Sequence, residues 1–448
     1  MNLKQLTAAA ALANAETFGG QDYVGYHTEM ALLPALQMSA ELPEERAALP
    51  VFKVLYRNTQ RIHDSGLSKT KRLKKVKPAN LPKGADEGQL LLNASRAADI
   101  EQGEQVFAAA MQKSPKHAYN KLLWAVQDSS NVHRFALAHR AWKMIDIVGK
   151  QHAHTLLRQC IRFCADNEPN IQRYLKRRGL KADPMRAAIT RMVDQYSLLD
   201  RKPGTKKADD QWLESMSNFI FSHSNVESMD AVAAAIQEGI APDSISQAIS
   251  MAATQLVLRQ DRLSEDSWRC HGATPGVHGA DAANAWRNML KVSSPRNVAV
   301  GLLVSAWHCG GSRSYSSYEP LPHAEDLGKL KSSSQKALLA EAEDAIRQND
   351  QKRAAAAMGL YGQKGYSARA ALDLMLRYAI SEDGRLHSEK FYRTVTEEYA
   401  GTRPAFRWRN ITALARVTAS AYGYSVDDQK GFRADGYEEA CRLLGVDA

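Results

Sequence analysis

Cysteine is scarce in this chain, and no long hydrophobic run occurs in it. The five cysteines are odd in number and widely spaced over 448 residues, which argues against a disulfide framework and predicts a reducing, cytoplasmic location. The most apolar stretch, Val298 to Trp307, is far shorter than the run of about 18 apolar residues that a membrane-spanning helix needs. These absences exclude an integral membrane protein.

Short catalytic motifs are also missing. The chain contains no GxGxxG, GxxxxGK[ST] or GxSxG sequence, which excludes the usual nucleotide-binding folds and the α/β-hydrolases. It also lacks HExxH and paired CxxC motifs, so no metal site can be identified from a short motif alone.

The hydrophobic pattern that is present is helical. Apolar residues recur at spacings of three and four in most segments and alternate at two almost nowhere. With 44% hydrophobic and 24% charged residues, the composition is that of a globular protein. The predicted fold class is all-α, as a multi-helical array of about three repeated antiparallel four-helix units plus an N-terminal helical segment.

Prolines and glycines divide the chain into these units. Helix starts are predicted at Pro115, Pro242, Pro295 and Pro404, and helix ends near Gly149, Gly239, Gly310 and Gly423. The predicted division is 1–90 for N-terminal helices and a basic linker, then 95–205, 207–311 and 335–446 for the three units, packed as one globule. Two stretches, 262–275 and 310–334, resist assignment to helix and are predicted to be loops.

Histidine opens the third helix of every predicted unit. His133, His278 and His387 are followed by the next predicted boundary after 16, 17 and 17 residues. Equivalent positions in three packed units can converge on one pocket, and imidazole commonly binds iron, zinc and copper. The sequence therefore predicts a transition-metal centre, with iron or zinc as the ion. Capping and solvent exposure also explain a histidine near a helix start.

Further residues extend this candidate site. His27, in the segment GYHTEMALLPAL, and His154 are additional candidate ligands. Asp281 is the candidate catalytic residue, because it follows His278 by three residues on the same helix face and can act as a base or orient the imidazole. The alternative is that Asp281 lies in the first turn of its helix and stabilises the helix dipole. Carboxylate ligands are also offered by Glu389, Glu397 and Glu398.

The formal net charge of +10 is concentrated in two stretches, 69–83 and 173–207. Neither stretch alternates basic with aromatic residues, as a surface that binds single-stranded nucleic acid does. We interpret both stretches as solvated linkers and helix faces. The predicted partner is therefore a small-molecule substrate, with neither nucleic acid nor a membrane.

Two segments, YHTEMALLPAL and GVHGADAANAWRNML, resemble the histidine-containing helices of questin oxidase-like proteins. The resemblance implies oxidative ring opening of aromatic polyketide quinones, of the Baeyer–Villiger type, with a reduced nicotinamide such as NADPH as the electron source. Of the family's histidines, only His27 and His278 carry over to this chain.

The functional hypothesis is a metal-dependent oxidoreductase or oxygenase with a histidine-lined pocket between helical units. The alternative is a non-catalytic helical scaffold that binds protein or nucleic acid through a basic surface. A buried cluster of histidines favours the enzyme, whereas histidines scattered over the outside favour the scaffold.

Overall fold

A computed structural model describes residues 2–17, 23–63, 73–260, 274–311, 319–380, 386–423, 441–442 and 444–446. This part of the chain consists of helices and connecting segments and contains no β-strand. The predicted all-α class is confirmed. The twenty α-helices of the described part are α1 (Leu3–Thr17), α2 (Tyr23–Ser39), α3 (Leu49–Arg61), α4 (Glu87–Arg96), α5 (Ile100–Met111), α6 (Pro115–Val126), α7 (Val132–Val148), α8 (Ala153–Arg177), α9 (Pro184–Gln195), α10 (Asp210–Ser222), α11 (Asn225–Gln237), α12 (Pro242–Arg259), α13 (Pro275–Leu290), α14 (Pro295–Gly310), α15 (Ala324–Gly328), α16 (Gln335–Arg347), α17 (Gln351–Gln363), α18 (Ala368–Ala379), α19 (His387–Gly401) and α20 (Trp408–Ala421).

Helix boundaries follow the local chemistry of the sequence. Ser114 accepts a hydrogen bond from the backbone N–H of His117, so that it caps α6 just before Pro115. Gly149 ends α7 with a φ of 103°, a backbone conformation that favours glycine. The helix start predicted at Pro404 is wrong, because a turn held by the backbone bond from Phe406 to Arg403 comes first and α20 begins at Trp408.

Each predicted unit contains the four helices expected of it: α5 to α8, α11 to α14, and α17 to α20. In every unit the fourth helix packs against the other three. Three further helices, α4, α10 and α16, pack on the units that follow them. The equivalence of the units as structural repeats stays a prediction.

Four helices from distant parts of the chain form a closed cycle. The cycle runs from α2 to α7, on to α13, then to α19 and back to α2, and each helix contacts the next. Three of these helices are the third helices of the predicted units, and the fourth comes from the N-terminal segment. The cycle therefore joins the predicted divisions through a shared interior.

The two predicted loops are only partly described. Residues 261–273 and 312–318 lie outside the described part, so most of the first loop and the start of the second are not characterised. Within the second, α14 continues to Gly310 and a short helix, α15, occupies Ala324–Gly328. Among the helices described, none combines the length and the apolar character that crossing a membrane requires.

Close packing between α13 and α14 depends on a glycine. A Cβ atom placed on Gly301 would lie 2.9 Å from two ring carbons of Trp286, a fully buried side chain. We expect Gly301→Ala to lower the free energy of unfolding by about 1–3 kcal/mol, because an extra methyl group in a filled core forces its neighbours to move. Urea unfolding of both proteins measures the difference.

Gly328→Ala is the matched control for this prediction. Nothing lies within 4 Å of a Cβ placed on Gly328, so the free energy of unfolding should change by no more than about 0.5 kcal/mol. Equal losses in the two variants would contradict the packing argument.

Candidate functional site

Four of the predicted ligand histidines come together inside the cycle of α2, α7, α13 and α19. Each lies near the N-terminus of one helix: His27 in α2, His133 in α7, His278 in α13 and His387 in α19. The centroids of neighbouring imidazole rings are 5.0 Å apart for 27 and 133, 5.5 Å for 133 and 278, 5.7 Å for 278 and 387, and 5.1 Å for 387 and 27. We call this closed arrangement the histidine ring.

The histidine ring lies in the interior, and the pKa values of two of its members are lowered. His27 and His387 are buried, while His133 and His278 keep some accessible surface. Burial, reinforced by the positive charge of Lys390, lowers the pKa of His133 to about 3. Burial, with His133 and Lys390 nearby, places the pKa of His278 well below its usual value. Neutral imidazoles of this kind are the form that binds metal ions.

Aromatic side chains adjoin one side of the ring. The centroid of the Tyr26 side chain lies 4.6 Å from that of His27 and 5.1 Å from that of His133. On α8, the centroid of Phe163 lies 5.2 Å from that of Tyr26. On another side, Nδ1 of His308 in α14 and the hydroxyl oxygen of Ser130 share a hydrogen bond of 2.9 Å. Burial lowers the pKa of His308 to about 4. These neighbours give the histidine ring a partly aromatic environment.

A lysine lies beside the ring, in the next turn of α19. Lys390 is buried, and burial lowers the pKa of its amine to about 8 although Asp281 and Glu389 counteract the shift. Glu389 is itself fully buried and forms an ion pair with Lys53 of α3 at 2.7 Å. An amine with this pKa can hold or release a proton near neutral pH.

Asp281 does not form the predicted hydrogen bond with His278. Its carboxylate accepts a hydrogen bond from Thr394 Oγ1 at 2.8 Å and interacts electrostatically with the positive charges of Lys390 and Arg140. The predicted alternative is also wrong, because α13 begins at Pro275 and Asp281 therefore falls beyond its first turn. Burial raises the pKa of Asp281. Asp281 is thus a neighbour of Lys390, one turn away from the histidine it was expected to orient.

His154 does not join the ring. It lies in the first turn of α8, where its imidazole stacks on Phe107 of α5 with centroids 5.8 Å apart. The packing of α8 against α5 places it there. The prediction of His154 as a fifth ligand is therefore not supported by its position.

The three glutamates proposed as carboxylate ligands are all in ion pairs. Glu389 pairs with Lys53, Glu397 with Arg393 at 2.9 Å, and Glu398 with Arg287 at 2.7 Å. Glu29 differs from them in having neither an ion pair nor a hydrogen bond within the described part of the chain. Burial raises the pKa of Glu29 to about 8.

The distances between ligand atoms differ between the histidine ring and a second group of residues. Over the described ranges, the group of three whose ligand atoms all lie within 4.8 Å of one another is His323, Glu325 and Asp326. No three nitrogens of the histidine ring meet that spacing in this arrangement. In the second group, Lys329 Nζ already lies 3.1 Å from Asp326. The ring therefore has the ligand chemistry of a metal site and a wider spacing than a bound ion requires.

The same four helices also enclose an open cavity of about 650 Å³. It is lined by the C-terminal halves of α2, α7, α13 and α19, including Gln37, Arg140, Asn288 and Glu397. Because the N-terminal ends of these helices meet at the histidine ring, all four run in the same direction, from the ring towards the cavity. Their positive dipole ends therefore point at the ring.

No protein-family model, curated protein or solved structure matches the chain. The resemblance to questin oxidase-like proteins accordingly stays a hypothesis.

Sequence reasoning missed Lys390 and Arg140, yet a pattern for them exists. On α19, His387, Lys390, Thr394 and Glu397 follow one another at spacings of three, four and three, which is one face of a helix. On α7, His133 is followed by Arg140 after seven residues. Extending each histidine along its own helix face would have identified both residues.

Proposed function

We propose that the chain is a metal-dependent oxidoreductase whose centre is the histidine ring. The observation that carries the proposal is the convergence of four imidazoles, each from a different helix, in one interior cluster. The four histidines come from helices spread over positions 27 to 387, so the cluster forms only when most of the chain is folded. In a scaffold that binds through its surface, histidines are expected on the outside and not together in the interior.

The ligand chemistry of the ring fits a transition metal. The Nε2 atom of His278 is buried without a hydrogen-bond partner in the described ranges, and an unpaired buried nitrogen is costly unless a ligand uses it. His27, His133, His278 and His387 would hold the ion, for which their nitrogens would have to lie closer together than they do here. When bound, iron with an open coordination position would supply electron transfer, whereas zinc would polarise a substrate oxygen.

Other residues of the chain would act on the substrate. The amine of Lys390 and the four helix N-termini provide positive potential where negative charge develops on a substrate oxygen. Tyr26 and Phe163 offer aromatic faces against which a planar ring can pack. The resemblance to questin oxidase-like proteins adds an aromatic quinone as the substrate class and NADPH as the electron donor.

A second candidate is metal-free acid–base chemistry at the same ring. It is favoured by the wide spacing of the ring nitrogens and by the four helix N-termini, which stabilise an anion better than a cation. In this mode Lys390 would transfer the proton and the neutral imidazoles would donate or accept hydrogen bonds.

Elemental analysis of untagged protein tests the metal. We expect about one equivalent of iron or zinc in the native protein and its loss in His278→Ala, because one of the four ligands is removed. His154→Ala is the matched control, since it removes a half-buried histidine that lies away from the ring. Circular dichroism confirms that each variant is folded.

Metal that persists in His278→Ala, or that is lost equally in His154→Ala, would contradict the assignment of the ring as the centre. Folded native protein without metal would overturn the metal-dependent reaction. Assays of proton exchange between deuterated water and enolisable aromatic ketones, with that metal-free protein, would then decide between acid–base chemistry and a scaffold.

A further inference from the structure

The open cavity at the C-terminal end of the helix cycle contains more cationic groups than its carboxylates neutralise. Five basic side chains line it: Arg140, Lys143, Arg287, Lys291 and Arg393. Two of them are used within the protein, because Arg287 pairs with Glu398 at 2.7 Å and Arg393 with Glu397 at 2.9 Å. Arg140, Lys143 and Lys291 remain, and two further carboxylates, Asp146 and Asp243, also line the cavity, so that five cations face four carboxylates.

Arg140 differs from the other two because it is buried. Only 4% of its surface is exposed, although it lines the cavity wall, whereas Lys143 and Lys291 lie exposed at the rim. A guanidinium carries five N–H donors that cannot be deprotonated in proteins. Burying them is costly unless acceptors are provided.

Within the described residues the protein provides Arg140 with one distant carboxylate partner. The carboxylate nearest to Arg140 is that of Glu397, with Nη1 and Oε1 3.7 Å apart, which is beyond hydrogen-bond distance. The same carboxylate already accepts hydrogen bonds from Arg393 at 2.9 Å and from Asn288 at 3.0 Å. The ion pair with Glu397 is therefore long and shared, and the guanidinium of Arg140, at the cavity wall, keeps donors that a ligand can use.

We propose that this cavity binds a small organic anion whose carboxylate or phosphate group accepts hydrogen bonds from Arg140. The planar guanidinium matches two oxygens of such a group at once. Lys143 and Lys291 add positive charge at the entrance, and the amides of Gln37 and Asn284 line the wall. A volume of about 650 Å³ accommodates a ligand of the size of a metabolite.

This site is distinct from the histidine ring, but the same four helices run from the ring to the cavity. Arg140 interacts electrostatically with Asp281, and Asp281 with Lys390, which lies beside the ring. An anion held at Arg140 would therefore occupy the end of the helix cycle opposite the histidines. Its binding does not require a metal at the ring.

Isothermal titration calorimetry of the full-length protein tests the proposal, with succinate and inorganic phosphate as probes at constant ionic strength. We expect one equivalent of at least one probe to bind. Arg140→Gln should weaken binding at least about tenfold, because a charge-assisted hydrogen bond is lost. Arg140→Lys keeps the charge but loses the two parallel N–H donors of the guanidinium, so it should weaken binding too. Lys116→Gln, an exposed position away from the cavity, controls for net charge.

Succinate binding without phosphate binding would identify a carboxylate ligand, and the reverse would identify a phosphate. The proposal is overturned if neither probe binds at millimolar concentration, or if Lys116→Gln weakens binding as much as Arg140→Lys. Thermal unfolding of the Arg140 variants shows whether they are folded, and Arg140→Lys carries the test if Arg140→Gln is not.

Discussion

Replacing Arg287 by alanine is expected to lower the free energy of unfolding by about 3–5 kcal/mol, because it leaves a buried carboxylate without its cation. Arg287 donates hydrogen bonds to Glu398 at 2.7 Å and to the carbonyl of Gly401. Both side chains of the ion pair are more than nine-tenths buried. Ser250 and Asn284 also donate to Glu398, but neither carries a charge. Urea unfolding at neutral pH measures the loss.

Arg377→Ala is the control for this prediction. Arg377 pairs with Glu343 at 3.4 Å and is half exposed, so its removal should cost less than about 1 kcal/mol. Similar losses in the two variants would show that burial does not set the strength of the Arg287 interaction.

Replacing Glu29 by glutamine is expected to make the stability of the protein less dependent on pH. Burial raises the pKa of Glu29 from 4.5 to about 8 in the folded protein. Between these values the unfolded chain ionises this carboxyl while the folded protein keeps it protonated, so folding is progressively disfavoured as pH rises. The glutamine variant lacks this loss. The free energy of unfolding of the variant, relative to that of the native protein, should therefore increase by roughly 3 kcal/mol between pH 4.5 and pH 7.

Urea unfolding at several pH values, with a chelator present, measures this difference. Glu45→Gln removes an exposed carboxylate and should leave the pH profile unchanged. If the native and Glu29→Gln profiles run parallel, Glu29 is not protonated in the folded protein, and its burial must be compensated in some other way.

Much of the fold could be predicted from the sequence because helix formation is a local property. Serine and proline at 114–115 and glycine at 149 determine boundaries within a few residues, and the structure places α6 and α7 accordingly. The failure at Pro404 has a local reason too, since a proline starts a turn as readily as a helix. The closed cycle of α2, α7, α13 and α19 could not be predicted, because it depends on which helix faces meet across several hundred residues.

The site was predictable in part for the same reason. Aligning the helices in register identified His133, His278 and His387, and a short segment supplied His27, so four ring members were found without knowing how they meet. His154 was chosen for its residue type alone, and its helix face points at Phe107 instead. The pairing of Lys53 with Glu389 is not foreseeable from spacing, because the partners lie in α3 and α19, more than 300 residues apart in the chain.

The closed cycle also fixes when the site can exist during protein synthesis. Its walls are made in the order α2, α7, α13 and α19, and the last histidine lies 360 residues after the first. Domains generally fold as they emerge from the ribosome, but a ring of this kind stays open until α19 has been synthesised. Assembly of the histidine ring is therefore postponed until long after α2 has been made, and a nascent chain that stalls before α19 lacks the fourth wall of the ring.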